Sequence, residues 1–418
     1  MYRIIAPIFA LLLSTSLLLM GSGLQGTLLP VRGGLEGFSP TSLGVLGSAY
    51  FLGFAGGCLR GSQIIARAGH VRAFAAAVAI ASSVVLAHAM VVSPLIWWVL
   101  RAVTGACFAV LYMIIESWLN EKSSNEDRGF VFSLYTIINL TVITLGQLML
   151  TTASPKNFPL FSVASILISL SAVPLVLTRA SVPEPIEATR FDPRSLYRTS
   201  PAGVIGCLAV GLTNGSFWSL APLFVQSNGG AGDEVAVFMS VTVIGGALGQ
   251  WPLGRLSDRV DRRLVIQMAA GGAFVAGLAL AWLTLNEPGF VLGGALLYGV
   301  FAFPLYAVSV AHTNDFVAPE GYVEAASGLL LVFATGAVVG PILASALILY
   351  FGAWSLFLFT ATIHAMLVLY VVQRMPKRER PDEEDRIAFS DALIVSSTTS
   401  MVDPLPPETT EGGEERAD

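Results

Sequence analysis

The chain has 418 residues, of which 54% are hydrophobic and 12% are charged, against roughly 25% charged in an ordinary soluble domain. A water-soluble protein of this length needs more charged side chains on its surface than this chain has. Lipid must therefore cover much of its outside. The formal net charge of −5 is concentrated in residues 374–418, which hold twelve acidic and six basic residues. No part of the chain has the charge pattern of a nucleic-acid-binding protein.

Apolar stretches follow one another along the chain, each near the roughly 20 residues that cross a bilayer as a helix. The first continues to Leu29, which is too long for the apolar core of a secretory signal, so we interpret it as an uncleaved span. The sequence therefore predicts an all-α membrane protein with twelve transmembrane helices. These spans are residues 4–29, 40–65, 71–92, 95–119, 129–152, 158–178, 202–226, 235–254, 263–285, 289–312, 324–349 and 353–373.

Two polar segments organise the spans into domains. Residues 179–200, with three prolines among charged residues, form the one long linker and divide the spans six and six. We expect an N-terminal six-helix bundle over residues 1–178 and a C-terminal six-helix bundle over residues 201–373. Residues 374–418 are rich in Pro, Glu, Ser and Thr, a composition that predicts a disordered tail.

The basic residues indicate the orientation. With the N-terminus in the cytoplasm, 14 basic residues outside the tail fall in cytoplasmic segments, and two, Arg32 and Lys156, fall in outer loops. This asymmetry follows the positive-inside rule, and it predicts that both termini, the central linker and the tail are cytoplasmic.

The two halves of the sequence resemble each other. Glycines, prolines and polar residues recur at a nearly constant offset of 192 to 194 residues in four helix pairs. Parallel six-helix repeats are the architecture of one large transporter fold, with the substrate site between the halves. The recurring pairs are Gly23/Gly215, Pro30/Pro222, Gly53/Gly245, Gly57/Gly249, Gly105/Gly299, Tyr112/Tyr306, Asn120/Asn314, Glu121/Asp315 and Gly146/Gly340.

A charged motif lies between spans 8 and 9, with the sequence Gly-Arg-Leu-Ser-Asp-Arg-Val-Asp-Arg-Arg over residues 254–263. It resembles the cytoplasmic loop signature of the major facilitator superfamily (MFS). The resemblance implies that Gly254, Asp258, Arg259, Arg262 and Arg263 form a cytoplasmic gate that breaks and reforms as the halves rock. A solvated loop obeying the positive-inside rule is the alternative. At the equivalent loop of the first half, Ser62 and Ala66 replace the glycine and the acid, so a charge gate would depend mainly on the second copy.

Two longer sequence segments make the resemblance more specific than the superfamily as a whole. Residues 112–121 in span 4 (Tyr-Met-Ile-Ile-Glu-Ser-Trp-Leu-Asn-Glu) and residues 304–315 in span 10 (Pro-Leu-Tyr-Ala-Val-Ser-Val-Ala-His-Thr-Asn-Asp) are similar to the bacterial YcaD-like branch of the MFS. The resemblance covers all twelve spans and leaves out the tail. It implies the MFS fold and a multi-pass protein of the bacterial inner (plasma) membrane, and it says nothing of the substrate.

Span 4 carries two charged residues. Arg101, with Gly105 four residues later, is similar to the span-4 arginine motif of the superfamily. An arginine inside a span is costly unless it is paired or reaches the interface. It either acts inside the cavity, where it holds an anionic group or modulates a proton site, or snorkels to the outer surface. Glu116 is a candidate for proton coupling, although a structural pairing with a loop arginine such as Arg128 or Arg259 is favoured.

Polar and aromatic residues in the spans are candidates for the cavity wall. For each one, an interhelical hydrogen bond or a place in the interface belt is an equally good interpretation. His312 is a second candidate for coupling because histidine titrates near neutral pH, and a gate contact is the alternative. The cavity candidates are Gln25, Arg101, Asn139, Asn214, Trp218 and Tyr306.

Other classes of protein are disfavoured. No Gly-Lys phosphate loop is present for a nucleotide-driven pump, and the scattered histidines and cysteines predict no metal site, catalytic site or cofactor. We therefore predict a secondary transporter working by alternating access, coupled to protons as the resemblance implies. A monomer with a small-molecule substrate and the lipid bilayer as its partners is expected. A receptor or scaffold that binds a ligand without moving it is the alternative.

Overall fold

The computed structural model describes residues 2–123, 128–177, 193–286, 290–318, 321–377 and 389, and within these ranges it contains helices and no strands. Twelve helical segments among the described residues are long and apolar enough to cross a membrane, which confirms the twelve predicted spans. Large apolar side chains are exposed on the outside, including Trp251 at 70% and Leu369 at 62%. Such a surface is stable in lipid rather than in water.

Six spans form the first bundle and six form the second. In the first bundle the helices are α1 (Tyr2–Leu35), α2 (Pro40–Ala68), α3 (His70–Met90), α4 (Pro94–Lys122), α5 (Arg128–Leu148), α6 (Pro159–Leu170) and α7 (Ala172–Val176). A short helix, α8 (Pro193–Thr199), precedes the second bundle. The second bundle holds α9 (Pro201–Ser227), α10 (Gly232–Arg259), α11 (Arg262–Asn286), α12 (Val291–Ala302), α13 (Leu305–Asn314), α14 (Tyr322–Phe351) and α15 (Ser355–Arg374).

Two predicted spans are each divided into two helices. Span 6 contains α6 and α7, and span 10 contains α12 and α13. The break in span 10 falls at Pro304, which lacks a backbone N–H and whose ring clashes with the carbonyl group four residues earlier, so it can kink or break a helix. Both pieces together still cross the membrane, with span 10 running from Val291 to Asn314.

The helices connect at two faces of the molecule. We call the face where α1 begins and α15 ends the terminal face, and the other the opposite face. At the terminal face, Gly69 joins α2 to α3 with a φ of 80°, a conformation that glycine adopts without steric cost. The helices α2, α4, α6 and α9 each begin with a proline, which suits the first turn because its N–H would have no intrahelical partner there.

The internal repeat is visible in the helix contacts. A Cβ added to Gly53 of α2 would lie 1.9 Å from the carbonyl oxygen of Ala102, and one added to Gly245 of α10 would lie 2.2 Å from that of Leu296. Ala102 and Leu296 are themselves 194 residues apart. The same correspondence relates the neighbours of three more glycine pairs: Gly57 with Ala106 and Gly249 with Val300, Gly105 with Tyr50 and Gly299 with Thr242, and Gly23 with Ile143 and Gly215 with Ala337.

These contacts give a test of the packing. We expect Gly53→Val to lower the thermal stability of the protein by the equivalent of about 3 kcal/mol or more, because its side chain would overlap backbone rather than a movable side chain. The matched control is Gly293→Val in α12, where an added Cβ meets nothing within 4 Å. Thermal unfolding in detergent measures both, and equal midpoints for the two variants would contradict the close approach of α2 and α4.

Parts of two predicted segments lie outside the described residues. They are residues 179–192 of the linker and, in the tail, residues 378–388 and 390–418. Within the predicted tail, Met375–Lys377 forms a short 3-10 turn after α15. Phe389 is also described, and only 6% of its side chain is exposed. Phe389 is therefore packed against the protein, unlike the disordered tail that the composition predicts.

Candidate binding cavity and ion-pair cluster

A cavity of about 250 Å³ lies between the two bundles. The first bundle contributes most of its wall through α1, α2, α4 and α5, and the second contributes α9 and α14. Most of the wall is apolar or aromatic, as in most small-molecule sites. The lining residues are Ser22, Gly23, Gly26, Thr27, Pro30, Leu43, Leu46, Gly47, Tyr50, Phe51, Arg101, Tyr112, Ile143, Gln147, Trp218, Ser219 and Phe333.

Arg101 is the one charged residue among these lining residues. Its guanidinium lies over the ring of Tyr50, 4.4 Å from the centroid, in a cation–π contact. Within the described ranges of the chain, no carboxylate lies within ion-pair distance of Arg101. The side chain therefore contributes positive charge to the cavity, and snorkelling to the surface, the alternative left open by the sequence, is not observed.

Polar and aromatic groups surround this charge. Gln147 of α5 is 1% exposed, and its Oε1 atom is buried without a hydrogen-bond partner among the described residues. Trp218 of α9 stacks on Phe303, with ring centroids 5.6 Å apart and planes at 25°. A flat apolar group can bind against such a rigid indole, while an unpartnered amide oxygen favours a ligand that can donate a hydrogen bond.

The bundles touch each other towards the opposite face. Gln226 Nε2 donates to the carbonyl oxygen of Val31 at 3.1 Å, which joins the ends of α9 and α1. Ser48 Oγ donates to the carbonyl oxygen of Val338 at 2.6 Å, which joins α2 to α14. Further into the membrane, the rings of Phe51 and Phe333 lie 6.3 Å apart. These contacts separate the cavity from the opposite face.

Of the six predicted cavity residues, Arg101 and Trp218 line this cavity. The other four, Gln25, Asn139, Asn214 and Tyr306, are not among its lining residues. Each of the four has at least one buried side-chain oxygen without a hydrogen-bond partner among the described residues. Their polar groups therefore lie within the helix packing in this conformation, and a role in binding remains a prediction for them.

Three important lining residues were not predicted from the sequence. Tyr50, Tyr112 and Gln147 all face the cavity. The recurrence of Tyr112 as Tyr306 in the two halves was a signal for one of them. Tyr50 and Gln147 each stand alone among apolar residues, and no pattern in the sequence distinguishes them from helix-packing residues.

The two predicted coupling residues are both buried. Glu116 of α4 is 4% exposed, and the hydroxyl of Tyr135 donates to its Oε1 at 3.2 Å. The side chain of Arg128, one suggested partner for Glu116, lies outside the described residues. His312 of α13 is 4% exposed, and its ring packs edge-on against Phe316 at 5.1 Å.

An ion-pair cluster at the terminal face of the second bundle includes part of the predicted gate motif. Arg262, at the start of α11, lies 3.5 Å from Asp258 Oδ1 and 3.3 Å from Asp315 Oδ2. The side chains of Arg262 and Asp315 are 1% and 3% exposed. The motif thus connects the α10–α11 loop to the end of α13, and Asp315 extends the predicted gate set.

Next to this cluster, Arg263 binds both oxygens of Asp261, with the closest contact at 2.7 Å, and donates to the carbonyl oxygen of Met375 after α15. Burial acts to raise the pKa of Asp261, but the hydrogen bonds and charge of Arg263 outweigh it and hold that pKa below its usual 3.8. Arg259, by contrast, is exposed and has no ion pair among the described residues.

The lowered pKa of Asp261 has a consequence for stability. A carboxyl group whose pKa is lower in the folded state stabilises the protein above its unfolded pKa, and that contribution is lost as the pH falls through the folded pKa. We expect the stability difference between wild type and Asp261→Asn to be present at pH 5 and above and to shrink as the pH falls below about pH 4. Thermal unfolding from about pH 3 to pH 8 measures it, and a difference that stays unchanged down to about pH 3 would be inconsistent with this ion pair.

The equivalent loop of the first bundle differs. Ala66 and His70 occupy the positions of Asp258 and Arg262, and Glu121 that of Asp315. The ring of His70 lies 5.8 Å from that of Trp118, and Glu121 is exposed without an ion pair among the described residues. In the part of the chain that the structure describes, the ion-pair cluster therefore occurs in the second bundle alone.

Comparison with known proteins agrees with this architecture. A family model described as Major Facilitator Superfamily matches residues 11–333 and, in an overlapping match, residues 203–405, so the chain belongs to this superfamily. It is therefore a multi-pass membrane protein of a transporter family, rather than an enzyme. It is 26% identical to the uncharacterized MFS-type transporter YcaD of Escherichia fergusonii over 378 residues, covering 90% of this chain and 97% of that protein.

Solved structures share the fold. The nucleoside transporter NupG matches with a TM-score of 0.74 at 14% identity, covering 89% of this chain and 99% of NupG. A D-xylose-proton symporter matches with a TM-score of 0.67 at 14% identity, covering 90% of this chain and 99% of that one. At this level of identity the likeness establishes the fold and leaves the substrate to the residues of the cavity.

Proposed function

We propose that this protein is a proton-coupled secondary transporter that moves a small organic anion across the bacterial inner membrane by alternating access. The observation that carries the substrate class is Arg101, a charged residue facing the cavity without a carboxylate partner among the described residues. A cationic group in a mostly apolar wall attracts an anion strongly, because little water is present to screen the charge. The adjoining Trp218 and Tyr50 favour an anion that carries a flat apolar group.

The distribution of basic residues and the contacts between the bundles together suggest an orientation in the membrane and a conformational state. Basic residues concentrate in the loops of the terminal face, so the positive-inside rule assigns this face to the cytoplasm. The opposite face, where Gln226 meets Val31 and Ser48 meets Val338, is then the closed outer side. On this assignment we infer an inward-facing state, from which outward opening would require these two hydrogen bonds to break.

Proton coupling is proposed for Glu116. It is an acidic residue buried within a span, and it accepts a hydrogen bond from Tyr135 of the neighbouring α5. An acidic residue buried within a span is costly to place there, and such residues can form proton relays in transporters. The D-xylose-proton symporter shares this fold, so the fold is compatible with transport coupled to protons.

The test is transport by the purified protein in proteoliposomes. We would measure counterflow with labelled aromatic and aliphatic carboxylates, with neutral sugars and nucleosides, and with amphiphilic cations as comparison classes. Thermal unfolding selects the compounds, since a ligand at 100 times its Kd stabilises the native state by about 2.7 kcal/mol. We expect binding and counterflow for carboxylates, and uptake that an imposed pH gradient drives.

The outcomes separate the parts of the proposal. Counterflow of sugars or cations alone would contradict the organic anion. Counterflow of a carboxylate that a pH gradient fails to drive would contradict proton coupling. Binding without any movement of the ligand would favour a receptor or scaffold over a transporter.

A further inference from the structure

Phe389, a residue of the predicted C-terminal tail, contacts the gate motif. Phe389 lies 15 residues beyond the end of α15 at Arg374. Its side chain is 6% exposed and belongs to an apolar cluster that includes Leu253 of α10 and Val265 and Ile266 of α11. This phenylalanine stands alone in a charged stretch of sequence, and it is buried because the terminal end of the second bundle has an apolar site for its ring. We call this apolar site the seat.

The seat depends on a glycine of the gate motif. A Cβ added to Gly254 would lie 2.3 Å from Cδ1 and 2.4 Å from Cε1 of the Phe389 ring. Real Cβ atoms do not approach a ring so closely, so the ring can contact this turn of α10 in this way only because residue 254 has no side chain. Gly254 thus has a role in this conformation beyond helix packing.

A second contact involves the acid of the motif. The backbone N–H of Phe389 donates to Asp258 Oδ1 at 2.8 Å. The same carboxylate oxygen is 3.5 Å from Arg262, which also pairs with Asp315. The tail therefore supplies a hydrogen bond to the ion-pair cluster at the one acid that is partly open to solvent, since the side chain of Asp258 is 39% exposed.

The first bundle lacks both requirements. Ser62 stands at the position of Gly254, and Ala66 at that of Asp258. A serine Cβ would occupy the space that the ring needs, and alanine cannot accept the hydrogen bond. The Gly254 and Asp258 pair is present in the bundle that receives Phe389, and this asymmetry agrees with a seat specific to the tail.

We propose that the C-terminal tail is a built-in regulator that docks Phe389 on Gly254 and Asp258 and thereby holds the transporter inward-facing. This inference rests on the proposed function for the meaning of the two states. In this conformation the carboxylate of Asp258 already accepts the hydrogen bond of Phe389. Closing the cytoplasmic side requires the motif to meet the first bundle, so a docked tail competes with closure. Undocking then favours the outward-facing state.

The first measurement is hydrogen exchange of the full chain in nanodiscs, read on peptides that contain residue 389. We expect protection in wild type, its loss in Phe389→Ala, and its retention in the tail control Leu405→Ala. Gly254→Ala should also lose protection, because its methyl group would collide with the ring. Phe389→Ala lies outside the membrane helices, so the bundles of this variant remain folded. Equal exchange in wild type and Phe389→Ala would overturn the docking.

The second measurement is the distance between spin labels at Gln63→Cys and Glu324→Cys, two exposed positions at the terminal ends of α2 and α14. The native cysteines Cys58, Cys107 and Cys207 are buried, so the introduced pair takes the label. In the Phe389→Ala background we expect the ratio of long to short distances to fall about tenfold relative to the Leu405→Ala background, as a docking difference of about 1.4 kcal/mol would cause. Unchanged distances with lost protection would overturn the regulatory role.

These readouts need no substrate. If the docking and the distance shift are present while proteoliposomes move no solute, the proposed transport function fails and the tail contact stands. If transport is present and the tail is not protected, the tail proposal fails alone.

Discussion

Replacement of Arg101 by glutamine is expected to weaken the binding of a transported organic anion about 100-fold, equivalent to about 2.7 kcal/mol. The reason is that Arg101 is the one charge among the described residues of the cavity wall. An anion that enters this apolar space would lose its counter-charge together with its hydration. Isothermal titration or a thermal-shift titration measures the change.

Two further variants sharpen this test. Arg101→Lys keeps the charge but loses the planar group that stacks on Tyr50, so we expect an intermediate loss of about tenfold. Arg255→Gln is a matched control, since Arg255 also stacks on an aromatic ring, that of Trp251 at 5.4 Å, and Trp251 is 70% exposed on the outside. Equal affinity in wild type and Arg101→Gln would refute the anion proposal.

The number of helices and their grouping could be predicted because each depends on a large, local quantity. A span of about 20 apolar residues is a strong signal, and residues 179–200 interrupt these spans once. The repeat was predictable for a different reason. Gly53 and Gly245 are needed at the same place in each half, where α2 meets α4 and α10 meets α12 without room for a side chain.

The side chains of the cavity were harder to predict, because a transmembrane helix is apolar on all sides and its polar face cannot be recognised by contrast. In α1, the lining residues Ser22, Gly26 and Pro30 recur every four residues on one face. Gln25 is one residue before Gly26, about 100° around the helix, and so it faces the packing instead. Polarity alone therefore does not identify the face of α1 that lines this cavity.

Arg101 shows how the structure resolves an ambiguity of the sequence. Its position two turns into α4 permits both snorkelling and an inward orientation, and which one occurs depends on the rotation of α4 within the bundle. That rotation is fixed by contacts far along the chain, such as Gly105 against the backbone of Tyr50. The same holds for Phe389, because its seat is formed by residues more than 100 positions earlier.

Replacement of Asp315 by asparagine is expected to destabilise the second bundle by about 3–5 kcal/mol, because it leaves the buried charge of Arg262 without its most buried partner. Asp258 still lies 3.5 Å away, but its side chain is 39% exposed and shares its Oδ1 with Phe389. Thermal unfolding in detergent measures the loss.

We expect the double variant Arg262→Gln, Asp315→Asn to recover a large part of the stability, since it removes both buried charges. The surface control Asp233→Asn, at the exposed start of α10, should change stability by less than about 1 kcal/mol. A double variant as unstable as Asp315→Asn would show that the buried charge of Arg262 is not the cause.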